Sequence, residues 1–229
     1  LLAGLPVETP AYTVNRLCAS GLEAIGQGAR AIALGEAELI MAGGVESMSR
    51  APYVMAKAMD GFDRSQQLED TTLGWRMINP KMRERYGVDS MAQTAENLAQ
   101  QFSLSRQDQD AFAYRSQQRA NRAITNGLLD SEIMPAGMLL LDEQPRPDTS
   151  LEKLANLKSI TYDSGSITAG NASSLNDGSA ALLLASARAV ERYGLTPRAR
   201  ISGMASAGVT PSIMGYGPVP AIEKLLAKN

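Results

Sequence analysis

The chain has 229 residues, which is enough for one large or two modest domains with a real core. Its 22 basic and 24 acidic side chains give a formal net charge of -2, which argues against nucleic acid or an anionic membrane surface as the partner. The single cysteine cannot form an internal disulfide, which favours a cytoplasmic location, and the absence of histidine excludes the common zinc sites.

The first elements predict an α/β protein. The pattern predicts a strand over residues 11–14, a helix over residues 21–34 and an apolar strand over residues 38–42. A strand, a helix and a strand joined by tight connections are typical of a βαβ unit, which implies a parallel sheet with a right-handed crossover. Cys18 would then lie at the carboxyl end of a strand and the N-terminus of a helix, where ligands of α/β sheets gather.

The middle of the chain, from residue 47 to about residue 166, changes in composition. Methionine, arginine, aspartate and glutamine become frequent there, and the only tryptophan lies within it. The spacing predicts helices over residues 94–102 and 105–126, followed by a polar, proline-bearing loop over residues 142–150. This part is interpreted as an insertion into the sheet-forming part of the chain.

The last part of the chain returns to alternating strands and helices. A buried strand is predicted over residues 180–185, a helix over 186–193, a further strand over 199–204 and a helix over 221–227. The chain starts in what resembles the end of a helix and finishes inside a predicted helix. We therefore expect a longer natural polypeptide.

Cys18 is the strongest candidate for chemistry, and two interpretations of it are open. Free cysteine is among the most buried residue types, so it could simply pack a strand–helix turn. The setting Asn-x-x-Cys-x-Ser-Gly at residues 15–21 favours a nucleophile instead, because free N–H groups at a helix N-terminus favour a thiolate and can hold an oxyanion. A nucleophile usually also needs a base, and no histidine is present to act as one.

Three other features have weaker functional interpretations. The small, polar run over residues 167–179 is either an ordinary turn region or a wall against which an extended ligand lies. The glycine-rich stretch over residues 203–220 is explained largely by a helix start near Pro220. Glu46 is either a general base or a surface or capping carboxylate.

Seven segments together resemble the thiolase family, and they cover nearly the whole chain in order. They are residues 15–21, 41–55, 69–82, 86–99, 105–120, 167–178 and 213–221. The resemblance implies the thiolase fold, in which two βαβαβαββ half-domains stack in five layers and a loop domain is inserted in the first. On this basis residues 1–47 are part of the N-terminal half-domain, 48–175 the loop domain, 176–196 the end of the first half, and 197–229 the start of an incomplete second half.

The resemblance also implies an activity, the reversible thiolysis of 3-ketoacyl-CoA through an acyl-cysteine on Cys18. Coenzyme A is then a co-substrate, with no tightly bound cofactor and no metal, and the subunits form a dimer or tetramer. Family contacts with CoA carry over onto Met91, Arg146, Ala169, Ser173, Leu175 and Met214. The placement of Arg146 depends on a segment between residues 135 and 142 that is shorter than in the family.

The departures from the family pattern concern the rest of its active site. The activating histidine, the second cysteine and the oxyanion-hole asparagine lie in motifs that this sequence does not contain. We therefore expect the 229 residues alone to perform no turnover.

Residues 74–79 and their neighbours resemble the bacterial 3-oxoadipyl-CoA thiolases of aromatic-acid breakdown. Arg76 could meet the distal carboxylate of such a substrate, or it could form a structural ion pair. Two further alternatives are a biosynthetic acetoacetyl-CoA thiolase and a non-catalytic CoA-binding or dimerisation module.

Overall fold

The computed structural model describes residues 1–228, which fall into two compact units. The first unit contains residues 1–50 and 176–204, and the second contains residues 51–175 and the chain from residue 205 onward. The helices are α1 Ser20–Ala33, α2 Pro80–Tyr86, α3 Met91–Gln101, α4 Arg106–Thr125, α5 Leu151–Ala155, α6 Ala187–Tyr193 and α7 Pro218–Leu226. The strands are β1 Leu39–Glu46, β2 Tyr53–Met55, β3 Leu68–Asp70 and β4 Gly178–Ala185.

The first unit is a two-stranded antiparallel sheet packed against α1. β1 and β4 pair from Leu39 opposite Ala185 to Glu46 opposite Gly178. Gly28 of α1 lies so close to this sheet that a Cβ there would be 2.7 Å from Leu184 Cδ1. The absence of a side chain at this position therefore lets the helix backbone approach the sheet.

Asp177, the residue before β4, is hydrogen-bonded to the segment that follows β1. Its carboxylate accepts hydrogen bonds from Ser49 Oγ at 2.5 Å and from the Ser49 N–H at 2.9 Å. These two bonds stabilise the ionised carboxylate and hold the pKa of Asp177 below its usual range.

The second unit is built from helices with strong N-caps. The side chains of Asn79, Ser90, Ser105 and Ser150 accept hydrogen bonds from the first turns of α2, α3, α4 and α5. A 3-10 helix, Pro211–Tyr216, packs against α3. β2 and β3 form a short antiparallel pair in the same unit.

The helix predictions are confirmed, and two strand predictions are wrong. The predicted helices correspond to α1, α3, α4, α6 and α7, with ends shifted by up to three residues. Residues 11–14 and 199–204 form no strand. The other two predicted strands are present, as β1 and β4. A strand exists only where another strand satisfies its backbone groups, and no described segment pairs with residues 11–14 or 199–204.

The predicted parallel βαβ arrangement is also wrong for the described residues. β1 pairs with β4, which is more than 130 residues away in the sequence, and the pairing is antiparallel. Cys18 therefore precedes a helix, as predicted, but it does not follow a strand. The four-part domain assignment stays a prediction.

None of the helices over residues 1–228 combines the length and the apolar character that a membrane crossing requires.

Candidate active site

Cys18 lies just before α1, which begins at Ser20 after Ala19 as the N-cap residue. Its side chain is exposed. A buried sulfur within a closed apolar turn was the alternative interpretation of this residue, and the observed exposure does not fit it. The thiol is therefore accessible to a reagent or a substrate.

The loop that carries Cys18 is held by its own side chains. Ser20 Oγ accepts a hydrogen bond from the Arg16 N–H at 2.8 Å and donates one to the Leu17 carbonyl at 2.6 Å. Asn15 Oδ1 accepts a hydrogen bond from the Leu17 N–H at 2.8 Å. Polar residues at positions 15 and 20 thus fix the backbone on both sides of Cys18.

Leu17 has a φ of 50°, in the left-handed region that residues other than glycine rarely adopt. Such conformations cost free energy and persist where the surrounding contacts impose them. The bonds from Asn15 and Ser20 to the Leu17 backbone provide these contacts. The strained residue directly precedes the candidate nucleophile, which is where strain of this kind is commonly found.

The start of α1 presents hydrogen-bond donors next to Cys18. Within the described chain, the N–H groups of Gly21 and Leu22 donate to no protein acceptor. Free N–H groups in the first turn carry the positive end of the helix dipole. They can stabilise negative charge on a sulfur or on an oxygen that develops beside it.

The carboxylates near Cys18 are not free to act as its base. Glu23, in the first turn of α1, pairs with Arg16 at 3.1 Å and with Arg30 at 2.7 Å. Glu46 is exposed at the end of β1, and no hydrogen bond or ion pair of the described residues connects it to residues 15–20. The interpretation of Glu46 as a general base therefore finds no support in the geometry.

The six predicted CoA contacts all lie in the second unit, and all six side chains are exposed. Met91 is the first residue of α3, and Met214 lies in the 3-10 helix that packs against α3, where Asn97 Nδ2 donates to the Ser212 carbonyl at 2.9 Å. The other four lie outside helices and strands: Arg146, Ala169, Ser173 and Leu175.

Arg146 is held by one backbone and one side-chain hydrogen bond, and by no ion pair of the described residues. Its N–H donates to Gln117 Oε1 at 2.8 Å, and its Nη1 donates to the Glu143 carbonyl at 3.0 Å. The loop is thus attached to α4, which carries Gln117, while the guanidinium stays at the surface.

Sequence reasoning predicted Arg146 but missed three further arginines that line the same pocket of about 600 Å³. Arg115, Arg119 and Arg122 of α4 face this pocket together with Arg146. None of the four takes part in an ion pair of the described residues. The sequence does contain a signal for this cluster, because Arg115, Arg119 and Arg122 are spaced so that they share one face of the predicted helix.

Sequence reasoning also missed two buried carboxylates, Glu96 of α3 and Asp110 of α4. They are 2% and 4% exposed, respectively. Both contact the loop that contains Ala169 and Asn171. Glu96 lies three residues before Ala99, and residues at this spacing share one face of a helix. The spacing to an apolar residue was therefore the signal that could have predicted its burial.

Comparison with known proteins agrees with this architecture. Residues 1–188 match the family described as "Thiolase, N-terminal domain". The structure of human mitochondrial 3-ketoacyl-CoA thiolase in complex with CoA superposes with a TM-score of 0.87 at 40% sequence identity, over 99% of this chain and 57% of that one. The fold is therefore the α/β thiolase fold, and the chain belongs to the thiolase family.

The chain is also similar to individual thiolases of bacteria. The chain is 61% identical to the beta-ketoadipyl-CoA thiolase of Pseudomonas aeruginosa, over all of this chain and 59% of that protein. It is 52% identical to the 3-oxoadipyl-CoA/3-oxo-5,6-dehydrosuberyl-CoA thiolase of Escherichia coli, again over 59% of its length. The chain thus spans about three-fifths of the length of these relatives, and the second half of the thiolase fold is incomplete in it.

Proposed function

We propose that the chain carries the nucleophile and the CoA-binding loops of a thiolase that cleaves 3-oxoadipyl-CoA. The observation that carries the proposal is the exposed Cys18 at the N-terminus of α1, in a chain that is 61% identical to a beta-ketoadipyl-CoA thiolase. Coenzyme A is the co-substrate, and the acyl group is carried on sulfur between two transfers.

The proposed reaction has two steps. Cys18 Sγ bonds to the ketone carbon, the bond from that carbon to the neighbouring methylene breaks, and its electron pair leaves with acetyl-CoA as an enolate that takes a proton. The thiol of free CoA then gives up its proton, attacks the acyl-cysteine and releases the shortened acyl-CoA with the Cys18 thiolate. The N–H groups at the start of α1 would stabilise the oxyanions that form in both steps.

The family resemblance gives a histidine as the base and a second cysteine as the acid of these steps, and the 229 residues contain neither. We expect turnover only in a polypeptide that supplies the acid and the base. This is the natural polypeptide that carries this sequence. Activity is therefore measured on that polypeptide.

The arginine pocket supports CoA as the ligand of the second unit. The nucleotide end of CoA carries three phosphate groups, and unpaired guanidinium groups are the preferred partners of phosphate. Arg115, Arg119, Arg122 and Arg146 supply four such groups around one pocket, and Arg146 is also the predicted nucleotide contact. The rest of CoA, its pantetheine arm, would lie along the exposed residues Met91, Ala169, Ser173, Leu175 and Met214.

Replacing both Arg119 and Arg122 with alanine is expected to weaken binding of CoA but not of pantetheine, which has no phosphate. Each lost contact at an exposed site should raise the Kd for CoA about fivefold. Calorimetric titration with the two ligands measures the difference. Arg85→Ala, on α2 of the same unit, is the matched control; equal losses for CoA and pantetheine would contradict a role in phosphate binding.

The dicarboxylic substrate is supported by Arg76 as well as by the names of the relatives. Its guanidinium is exposed, and within residues 1–228 its Nη1 donates only to the Gly74 carbonyl, at 3.0 Å. Among the described residues it forms no ion pair, so the alternative of a structural ion pair finds no partner. Arg76 is therefore available for the distal carboxylate of 3-oxoadipyl-CoA.

A thiolysis assay tests the proposed function. The natural polypeptide should cleave 3-oxoadipyl-CoA with a higher kcat/KM than 3-oxohexanoyl-CoA, which has the same chain length without the distal carboxylate. Arg76→Ala should lower this preference about fivefold, the effect of one partly exposed charge pair, and leave 3-oxohexanoyl-CoA unaffected. No cleavage of either substrate would contradict the function, and equal kcat/KM values would contradict the substrate.

We also propose a homo-oligomer that works in the cytoplasm. The sheet of the first unit exposes apolar side chains on both strands, including Met41 and Val45 on β1 and Leu182 and Leu183 on β4. Apolar surface of this kind favours association with another sheet. A free, exposed thiol at the reaction centre is typical of a reducing compartment.

A further inference from the structure

Glu96 is a buried carboxylate that the proposed reaction does not use. It is 2% exposed, and no ion pair of the described residues involves it. Burying a carboxylate is costly unless hydrogen bonds replace the lost water. The groups that donate these hydrogen bonds therefore show which part of the chain the carboxylate holds.

The hydrogen bonds to Glu96 all come from one loop. Its Oε1 accepts from the backbone N–H groups of Ser166 and Ile167, the latter at 2.7 Å, and from Thr161 Oγ1 at 3.4 Å. Its Oε2 accepts from Ser166 Oγ at 3.0 Å. The carboxylate of a helix residue thus satisfies two successive backbone donors of a segment that is neither helix nor strand.

A second buried carboxylate holds the same loop a few residues later. Asp110 Oδ1 accepts from Asn171 Nδ2 at 3.1 Å, and the same amide nitrogen donates to the Ser166 carbonyl at 3.0 Å. Asn171 Oδ1 in turn accepts from the Thr168 N–H at 2.8 Å. Arg106 completes the arrangement through an ion pair with Asp110 at 2.7 Å.

The loop is also packed closely where it has no side chains. A Cβ on Gly170 would lie 2.5 Å from Leu154 Cδ2 and from Leu157 Cδ1, and a Cβ on Gly165 would overlap the hydroxyls of Ser159 and Thr161. Ile167 and Thr168 are buried, whereas Ala169 is exposed. The inner side of residues 166–171 is therefore fixed, and the outer side faces solvent at the predicted CoA contact.

We propose that Glu96 is a positioning residue for ligand binding, which holds residues 166–171 so that Ala169 and the residues after it present a fixed surface to the pantetheine arm of CoA. This inference rests on the proposed function. A loop that must accept an extended ligand against its main chain gains affinity if it is ordered before the ligand arrives. Asp110 and Asn171 fix the end of the same segment.

Two substitutions at Glu96 test the proposal in the natural polypeptide that carries this sequence. Glu96→Gln keeps the size and the Oε1 acceptor but removes the charge, and Glu96→Leu removes both acceptors. We expect Glu96→Leu to raise the Kd for pantetheine and for CoA about tenfold, as for the loss of a charge-assisted hydrogen bond, and Glu96→Gln to raise it less. Asn79→Ala, which removes the N-cap of α2 in the same unit, is the control for a general loss of stability.

Calorimetry well below the unfolding temperature of each variant gives the Kd values, and amide hydrogen exchange reports the order of the loop. Faster exchange confined to residues 166–171 in the Glu96 variants, and absent from Asn79→Ala, is the expected result. Should Glu96→Leu not fold, Glu96→Gln decides the test alone, and wild-type Kd values in that variant would overturn the inference. If the wild type binds neither CoA nor pantetheine, the proposed function is contradicted. If wild type and variant bind them equally well, only the role of Glu96 is contradicted.

Discussion

Replacing Cys18 with alanine is expected to abolish thiolysis in the natural polypeptide, lowering kcat by roughly 10⁴-fold or more, as is usual when a covalent nucleophile is removed. The reason is that Cys18 is the exposed thiol at the N-terminus of α1, beside free N–H groups that can hold the oxyanion of the acyl transfer. The variant should fold normally because the Cys18 side chain is exposed and leaves no cavity. Initial rates with 3-oxoadipyl-CoA and free CoA measure the loss.

Mass spectrometry provides an independent readout of the same prediction. After incubation with an acyl-CoA, the wild type should gain the mass of one acyl group on the peptide that contains Cys18, and Cys18→Ala should gain none. Ser186→Ala, which removes the N-cap of α6 in the same unit, controls for a small loss of stability and should acylate normally. An acyl group on a different residue, or turnover that survives in Cys18→Ala, would show that another group is the nucleophile.

Five of the seven helices of the described residues were predicted, because the information that defines them is local; α2 and α5 were missed, although Asn79 and Ser150 cap them. Ser105 caps α4 and Ser186 caps α6, and Gly194 ends α6 with a φ of 60°, as helix C-caps commonly do. These signals lie within a few residues of the ends that they mark. The spacing of apolar residues then completed the prediction.

The strands were less predictable because pairing is decided far away in the sequence. Residues 38–42 and 180–185 were identified as strands, but nothing near either of them indicates that they pair with each other or in an antiparallel direction. Residues 11–14 have the composition of a strand and find no partner in the described chain. Composition therefore predicts a tendency, and only the tertiary contacts decide the result.

The residues of the candidate site also differ in how well the sequence predicts them. Cys18 stands out in the sequence because its residue type and its setting before a helix are both local. Glu96 does not, because a glutamate on a helix is ordinarily a solvent-exposed residue. Its importance depends on a loop 70 residues later in the chain that brings two backbone donors to it.

Replacing Asp110 with alanine is expected to lower the free energy of unfolding by about 3 kcal/mol, because it breaks a buried ion pair and leaves one partner without its countercharge. The side chain of Asp110 is 5% exposed and that of Arg106 is 23% exposed, and their Oδ2–Nε distance is 2.7 Å. Without the carboxylate, Arg106 would keep only backbone carbonyls as acceptors, among them Leu154 at 2.6 Å and Leu157 at 3.1 Å. Urea unfolding followed by the fluorescence of Trp75, the only tryptophan, reports on the same unit.

The pair between Lys153 and Asp148 is the matched control, since its N–O distance is also 2.7 Å while its side chains are 60% and 75% exposed. Solvent screens an exposed pair of this kind, so Asp148→Ala should destabilise the protein far less than Asp110→Ala does. The two ion pairs thus have the same N–O distance and differ in burial. If Asp148→Ala destabilised the protein as much as Asp110→Ala, burial would not be the cause of the difference. The proposed role of the Asp110 carboxylate in fixing Asn171 and its loop would then lose its energetic basis.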